Sequence, residues 1–277
     1  MLRGFFKRSM KNKLAILILA ITFINVLEGC YQPKEGCLDI YATNFDATAD
    51  NNCCCQYPLI QVQFVHMSGQ NLFNPSDTLM NDAGQAFKIN DFSIYFSNFE
   101  FTGTSGNLFS TLDTFHLPAE NDTIILRKDL LLARANTSNS TSGKLIQKED
   151  FVKVSFNAGV PNEANSVSFS RIPSSSILSR QPDSLFTENI GYVSFKYSFT
   201  NGIGQGNSER VIRIYEDVPL SFDLFIPEKN AFNTCFEMII NHLDIFYNID
   251  IENDTDEMVK AKLIQNFSKG ITLKSCQ

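Results

Sequence analysis

Residues 92–101 read FSIYFSNFEF, and their pattern defines the predicted fold. Alternate residues in the first half are apolar: Phe92, Ile94 and Phe96. A period of two is typical of a half-buried β-strand. The phase then moves to Phe99 and Phe101, which predicts a β-bulge or a short turn near Ser97-Asn98.

The same alternation recurs along the chain and predicts six further strands. They are Leu59–His66, Phe151–Ala158, Ile190–Phe199, Arg210–Tyr215, Val218–Ile226 and, with weaker alternation, Cys235–Tyr247. Only Glu216-Asp217 separates the fourth from the fifth, so we expect these two to pair as a hairpin. Short strands separated by long polar loops predict an all-β protein, an antiparallel β-sandwich.

One short segment near the C-terminus has the signals of a helix. Residues 255–267 follow Asp254, which we expect to be the N-cap, and Glu257 stands three residues later. Gly270 comes just after the predicted end. This arrangement is typical of a capped helix.

Composition limits the class of protein. The 277 residues carry a net charge of -7, and they include 25 Phe but no Trp. Because nucleic-acid binding requires clustered Lys and Arg, this acidic chain is not expected to bind nucleic acid. The length allows a sizeable core.

The N-terminus predicts export and lipidation. A basic start precedes the apolar run Leu14–Val26, which is short for a membrane span and suits a signal peptide over residues 1–29. Leu27-Glu28-Gly29-Cys30 resembles a bacterial lipobox, although Glu28 is unusual there. We therefore expect an outer-membrane lipoprotein, facing the periplasm or the cell surface, with Cys30 acylated and residues 30–36 as a tether. The alternative is a simple secreted protein with a free Cys30.

The seven cysteines become six when Cys30 is set aside, an even number that favours disulfides. They are Cys37, Cys53, Cys54, Cys55, Cys235 and Cys276. Because adjacent cysteines rarely pair, we expect each member of the triplet to bond one of the other three, in one of six pairings. A thiolate metal cluster is the alternative, but C-x-x-C spacing is missing.

Residues 37–57 form a polar module ahead of the body at 58–277. It has few apolar residues, so a disulfide must hold it, and it resembles short Cys-Asx modules of gram-negative cell-surface proteins. Asn44, Asp46 and Asp50 raise the alternative of a calcium site. The glycine and the closing glutamate of an EF-hand are missing, and Asx residues commonly close turns, so we favour turns over calcium.

Known catalytic motifs are absent from the sequence. It has no G-x-S-x-G elbow, P-loop, H-E-x-x-H or G-x-G-x-x-G fingerprint, and it has only three histidines. We therefore expect a protein that is not an enzyme.

Six segments occur in the order found in one family of envelope proteins. They are QVQFVHMSG, NDAGQAFKINDFSIYFSNFEF, TFHLPAENDT, VKVSFNAGVP, LFTENIGYVSFKY and KLIQNFSKGITL. On these segments, residues 59–273 resemble the MbnP-like family, whose better-known members handle copper. The resemblance implies a β-rich fold and, in copper-binding members, a site of histidines and an oxidised tryptophan.

The chain departs from that family at the metal site. The family's tryptophans have no counterpart in residues 185–192, and its glycine-rich histidine segment is missing from residues 200–207. A di-haem peroxidase partner that modifies such a tryptophan is therefore not implied. His66 and His116 lie within the similar segments and are the candidate copper ligands. Met67 would point to the opposite face of the strand, and His242 is interpreted as a surface or interface histidine.

Two functions follow from these observations. The first is a lipid-anchored envelope protein of MbnP-like type that binds copper. The second is a structural or interaction lipoprotein that has lost the metal. In both cases the expected partners are the membrane, through the lipid, and a protein of undefined identity.

Overall fold

The computed structural model describes residues 31–118, 123–174, 176–179, 185–202 and 208–276. The predicted signal peptide and the predicted lipidation site Cys30 lie outside the described residues. Within the described part of the chain, no helix is long and apolar enough to cross a bilayer.

The described residues form nineteen strands and two α-helices. The strands are β1 Glu35–Gly36, β2 Asn51–Asn52, β3 Leu59–Ser68, β4 Asn71–Leu72, β5 Leu79–Met80, β6 Ala86–Gly103, β7 Leu108–Ser110, β8 Thr114–Pro118, β9 Thr123–Arg127, β10 Leu131–Arg134, β11 Asn139–Lys144, β12 Phe151–Ala158, β13 Phe186–Thr187, β14 Gly191–Tyr192, β15 Phe195–Asn201, β16 Glu209–Ile214, β17 Val218–Ile226, β18 Thr234–Asn241 and β19 Ile271–Ser275. The helices are α1 His242–Ile245 and α2 Asp256–Phe267, and 3-10 turns occur at Asn162–Ser166, Phe169–Arg171, Ile177–Ser179 and Ser268–Gly270.

Two sheets form the sandwich that the alternation predicts. The larger has the order β16-β15-β6-β12-β17, and β5, β7 and β10 also pair with β6. All its pairings are antiparallel. The smaller sheet has the order β11-β3-β18-β19, with β4 at the end of β3. The predicted β-sandwich is confirmed, with one parallel pair, β3 and β18, within it.

Aromatic side chains fill the space between the sheets. Phe96 and Phe99 of β6 are fully buried. The Phe96 ring lies 5.8 Å from that of Phe64 on β3, and the Phe99 ring lies 6.0 Å from that of Phe236 on β18. Burial of one such side chain contributes about 1.5–3 kcal/mol, so these contacts hold the two layers together.

The predicted bulge in β6 is confirmed. Ser155 of β12 pairs with Glu100, whereas Asn157 pairs with Ser97, so two residues of β6 oppose one of β12. Asn98 has a φ of 59°, a left-handed conformation that Asn tolerates better than most residues. The extra residue explains why the apolar phase of the sequence shifts at this point.

The predicted hairpin between β16 and β17 is wrong, because the two strands lie at opposite edges of the larger sheet. Strand β16 pairs with β15 and β17 pairs with β12, so residues 215–217 cross the end of the sheet. A Cβ at Gly159 would lie 2.9 Å from the Cα of Asp217. Gly159, with a φ of 149°, therefore gives the crossing segment its room.

Two predicted boundaries also need correction. The N-cap of α2 is Thr255, whose hydroxyl accepts the amide of Met258, and not Asp254. The Asp254 carboxylate is instead bonded to Lys262 and to the amide of Asp250. The predicted strand 190–199 begins as a regular strand only at Phe195.

A second apolar cluster covers part of the outer face of the larger sheet. Tyr95, on the outer side of β6, packs there with Leu126 of β9, Val160, Leu178 and Tyr192. The β8–β9 hairpin and the β13–β14 pair supply much of this cover. Residues 92–97 are consequently buried on both sides of the sheet.

The N-terminal module is organised by polar contacts. Strands β1 and β2 pair in parallel, and Lys34 lies 2.7 Å from the carboxylate of Asp46. Asp46 also accepts the amide of Thr48, which is the Asx-turn that the sequence predicts here. These contacts and the Lys34 ammonium in particular hold the pKa of Asp46 well below its usual range.

The six cysteines form three disulfides, but the predicted pairing is only partly correct. Cys37 bonds Cys55, as two of the six expected pairings require. Cys53 bonds its neighbour Cys54, which the prediction excluded, and Cys235 bonds Cys276. The last pair follows from the register of β18 and β19, because Phe236 lies opposite Ser275 and so places Cys235 beside Cys276. Their Cα atoms are 5.5 Å apart, an ordinary disulfide distance.

We expect the Cys235–Cys276 bond to contribute most to stability. It closes a loop of 41 residues, for which the chain-entropy relation gives about 4 kcal/mol. The double variant Cys235→Ser/Cys276→Ser should therefore lose about this free energy of unfolding in denaturant titration. Cys53→Ser/Cys54→Ser is the matched control, since a bond between neighbours closes almost no loop. Equal losses in the two variants would contradict this assignment.

Candidate functional site

His66 continues the buried face of β3. Alternate residues of this strand are buried, namely Ile60, Val62, Phe64, His66 and Ser68. The His66 side chain, only 8% exposed, therefore enters the space between the sheets near the end of its strand. A polar ring is thus placed where the periodicity otherwise puts apolar residues.

His242 reaches the same place from the neighbouring strand. In the parallel pairing of β3 and β18, Ile240 lies beside His66 and Asn241 beside Met67. The chain then enters α1, whose first residue, His242, is fully buried. The interpretation of His242 as a surface or interface histidine is therefore wrong, and so is that of residues 235–247 as one strand.

The two imidazole rings are stacked on one another among aromatic rings. Their centroids are 5.5 Å apart and their planes differ by 15°. Phe92 lies 4.8 Å from His66 and 4.4 Å from His242, and Phe73 lies 4.5 Å from His242. We call His66 and His242 the histidine pair. The rings around it are apolar, with one polar exception, and the backbone of Thr137 and Arg134 also lies near His66.

The exception is Tyr197 of β15. Its hydroxyl lies 3.1 Å from Nδ1 of His242. Neither nitrogen of His66 nor Nε2 of His242 has a hydrogen-bond partner of good geometry among the described residues, although the backbone of Thr137 and Arg134 lies close enough to His66 to favour its protonated form. Leaving such a group unsatisfied costs about 1–3 kcal/mol, so three of them at one point make the histidine pair a candidate ligand site.

Burial keeps both rings neutral. It lowers the pKa of His66 to about 4, against smaller opposite effects from the backbone of Thr137 and Arg134. Burial also lowers the pKa of His242 well below its ordinary value, and a charge on His66 would lower it further. A neutral imidazole keeps one lone pair on nitrogen, which is the form that binds metals.

The other predicted ligand lies elsewhere. His116 is exposed on β8, where its Nε2 is 3.4 Å from the hydroxyl of Thr114. The structure thus places His66 with His242 and not with His116. Met67 is half-buried on the opposite face of β3, as predicted. Over the described residues, no group of three or more His, Cys, Asp and Glu side chains could hold a metal.

The lowered pKa of His66 predicts that the free energy of unfolding depends on pH. Its pKa is about 4 when folded and near 6.5 when unfolded, so the unfolded chain binds the proton more tightly. The neutral His66 ring therefore contributes about 3 kcal/mol to the free energy of unfolding above pH 6.5. This contribution is lost as the pH falls towards 4. Titration of His242 acts in the same direction.

The measurement is the free energy of unfolding at pH 7 and at pH 4, for wild type and for His66→Leu. The loss on acidification should be about 3 kcal/mol smaller in the variant, because it lacks the titrating ring. Carboxylates titrate in both proteins and cancel in the difference. His116→Ala, which removes an exposed ring, should behave as wild type. An identical pH dependence in wild type and His66→Leu would contradict the burial of this side chain.

Comparisons with known proteins identify the fold and the family of this chain. The structure of MbnP from Methylosinus trichosporium matches with a TM-score of 0.52 at 11% identity, over 80% of this chain and 100% of that chain. At this identity the likeness concerns the fold. No sequence among the curated proteins matches. The family model for MbnP matches residues 57–260, most of the β-sandwich. This chain therefore belongs to the MbnP family.

Proposed function

We propose that the protein is a lipid-anchored, non-catalytic component of the cell envelope that binds copper, as Cu(I), at the histidine pair. The observation that carries the proposal is the set of three unpartnered ring nitrogens on two neutral, buried imidazoles. Membership of the MbnP family supports it.

The donor set favours Cu(I) over the other common metals. Structural zinc takes four ligands, and calcium and magnesium take oxygen ligands, so two imidazoles suit neither group. Copper accepts imidazole, and in its monovalent state it is stable with two nitrogen ligands. A single positive charge among Phe73 and Phe92 also costs less desolvation than a divalent ion.

Each residue has a separate part in this site. His66 and His242 would supply one nitrogen each. Tyr197 would fix the tautomer of His242, because a ring that donates its Nδ1 proton to the hydroxyl oxygen carries its lone pair on Nε2. The surrounding aromatic rings would exclude water and hence oxidants from the bound ion.

The site differs from the one that the family resemblance implied. The chain contains no tryptophan to be oxidised, so that ligand cannot be present. His242 also lies outside the two segments in which the family's tryptophans and histidines were expected. We therefore propose a site of two histidines that does not depend on modification by a partner enzyme.

Copper binding is tested by titration with Cu(I) against a competing chelator. Wild type should bind one equivalent, and His66→Leu/His242→Leu should lose at least about 100-fold in affinity, because both donors are gone. Tyr197→Phe should lose about 10–100-fold, since it removes the partner that orients His242.

The control is His116→Ala, which removes the third histidine and should bind as wild type does. Equal, weak binding in wild type and in the double variant would favour the second function, a structural or interaction lipoprotein with the same fold. A loss of affinity in His116→Ala would show that the metal is bound elsewhere.

Anchoring is tested separately. Cells labelled with a clickable fatty acid should yield labelled protein from the wild-type gene and none from Cys30→Ala. Several acyl chains hold a protein firmly at a bilayer, whereas one gives marginal binding, so Cys30→Ala should be released from membranes. Membrane retention of an unlabelled protein would contradict the lipid anchor.

A further inference from the structure

A second site lies on the outer face of the larger sheet, where the bulge in β6 meets the β8–β9 hairpin. It is an open cavity of about 440 Å³. Its polar lining consists of Asn98, Glu100, Arg127, Ser155, Asn157 and Ser221. We call it the Arg127 cavity. The histidine pair lies on the other side of the larger sheet, in the space between the two sheets, and is supplied by the smaller one.

A buried carboxylate positions Arg127. Asp129 is 1% exposed, and its Oδ2 lies 3.2 Å from Nε of Arg127. The same carboxylate accepts the amide of Asn98 at 3.3 Å. Burial raises the pKa of Asp129, and Arg127 opposes this effect. One buried carboxylate therefore contacts both the guanidinium, as an ion pair, and the bulge, through a hydrogen bond, at the border of the cavity.

This contact leaves the other edge of the guanidinium available. A guanidinium has five N–H donors, and the atom of Arg127 closest to Asp129 is Nε, at 3.2 Å. Within the described residues, no acceptor bonds the terminal nitrogens of Arg127. Such a pair of parallel N–H groups matches the two oxygens of a carboxylate.

The sheet register places further hydrogen-bonding groups in a row beside Arg127. Glu100 pairs with Ser155, and Ser155 pairs with Ser221, so their side chains lie next to one another on three strands. The two serine hydroxyls are 2.8 Å apart. A carboxylate acceptor and two hydroxyls in line suit a ligand with several hydroxyl groups.

From this arrangement we propose that the Arg127 cavity binds an acidic sugar of the uronic acid class. The carboxylate of the sugar binds the terminal nitrogens of Arg127, and its hydroxyls bind Glu100, Ser155 and Ser221. The negative charge of Glu100 requires that the ligand's own carboxylate face Arg127, so it gives the sugar one orientation. A cavity of 440 Å³ accommodates one or two sugar rings.

The test uses the purified protein with D-glucuronate, D-glucose and acetate as probes, measured by calorimetry or ligand-observed NMR. Glucuronate should bind at least tenfold more tightly than either glucose or acetate, because only it has both the carboxylate and the hydroxyls. No saturable binding of glucuronate overturns the proposal. Equal binding of acetate also overturns it, since a carboxylate alone would then suffice.

Variants locate the binding. Arg127→Gln should weaken glucuronate binding at least tenfold, whereas Lys153→Gln should leave it unchanged. Lys153 is the matched control because it is exposed two residues before Ser155 and carries the same charge. Equal effects in the two variants overturn the assignment.

Arg127→Gln leaves Asp129 without its cation and could prevent folding, so Ser221→Ala is measured as well. Ser221 is exposed, and its loss should weaken glucuronate binding while the thermal transition stays unchanged. Unchanged binding in Ser221→Ala overturns the proposal. Loss of Cu(I) binding in His66→Leu/His242→Leu should leave glucuronate binding intact, which separates the two sites.

Discussion

Packing of phenylalanine across the two sheets is the constraint on which the rest of the structure depends. Phe96, Phe99 and Phe101 of β6 are each fully buried. A regular strand would turn one of these three away from the core, because its side chains alternate between the two faces. The bulge at Asn98 resolves this conflict by adding one residue to β6. The inner layer is thus continuous, and Phe236 of β18 contacts both Phe99 and Phe101.

The same constraint creates both candidate sites. On the inner face, close aromatic packing excludes water, and this exclusion is why burial lowers the pKa of both His66 and His242. On the outer face, the bulge displaces Asn98 and opens a gap beside Glu100. The inner environment favours a soft, weakly solvated ion, whereas the outer one favours a polar, hydrated molecule. A ligand that suits one face is therefore not expected to bind at the other.

The alternation of apolar and polar residues along the sequence predicted much of this fold. The limits of β12 and β17 follow directly from alternating residues, and the bulge in β6 follows from a phase shift within ten residues. The parallel pairing of β3 with β18 could not be predicted, because it joins segments about 170 residues apart and no loop length constrains it. The disulfide between Cys235 and Cys276 was not predicted for a different reason: the rule that adjacent cysteines rarely pair assigned both of these cysteines to the triplet, whereas Cys53 bonds Cys54.

The sequence contains a signal for the histidine pair, namely the phase of each histidine relative to the buried residues of its strand. His66 has the phase of Ile60, Val62 and Phe64, and His242 has the phase of Phe236, Met238 and Ile240. Periodicity alone therefore assigns both rings to the buried face. His116 has the opposite phase to Leu117, the one buried residue of its strand. Two histidines can meet inside a sandwich only if both side chains face the core. The position of a histidine in the alternation of its strand therefore predicts such a pair better than its position in a family-like segment does.

Placement of a ligand inside the core, and not at its surface, has an energetic consequence. An empty histidine pair leaves three polar nitrogens unsatisfied, at about 1–3 kcal/mol each, unless water enters. A bound ion removes part of this cost, which contributes to its affinity, and that affinity shifts the folding equilibrium by about 2.7 kcal/mol at a free concentration 100 times the dissociation constant. The stability of the sandwich is therefore coupled to occupancy at the histidine pair. The Arg127 cavity differs in this respect, because the Arg127 side chain is partly exposed and water can bond its terminal nitrogens when the cavity is empty.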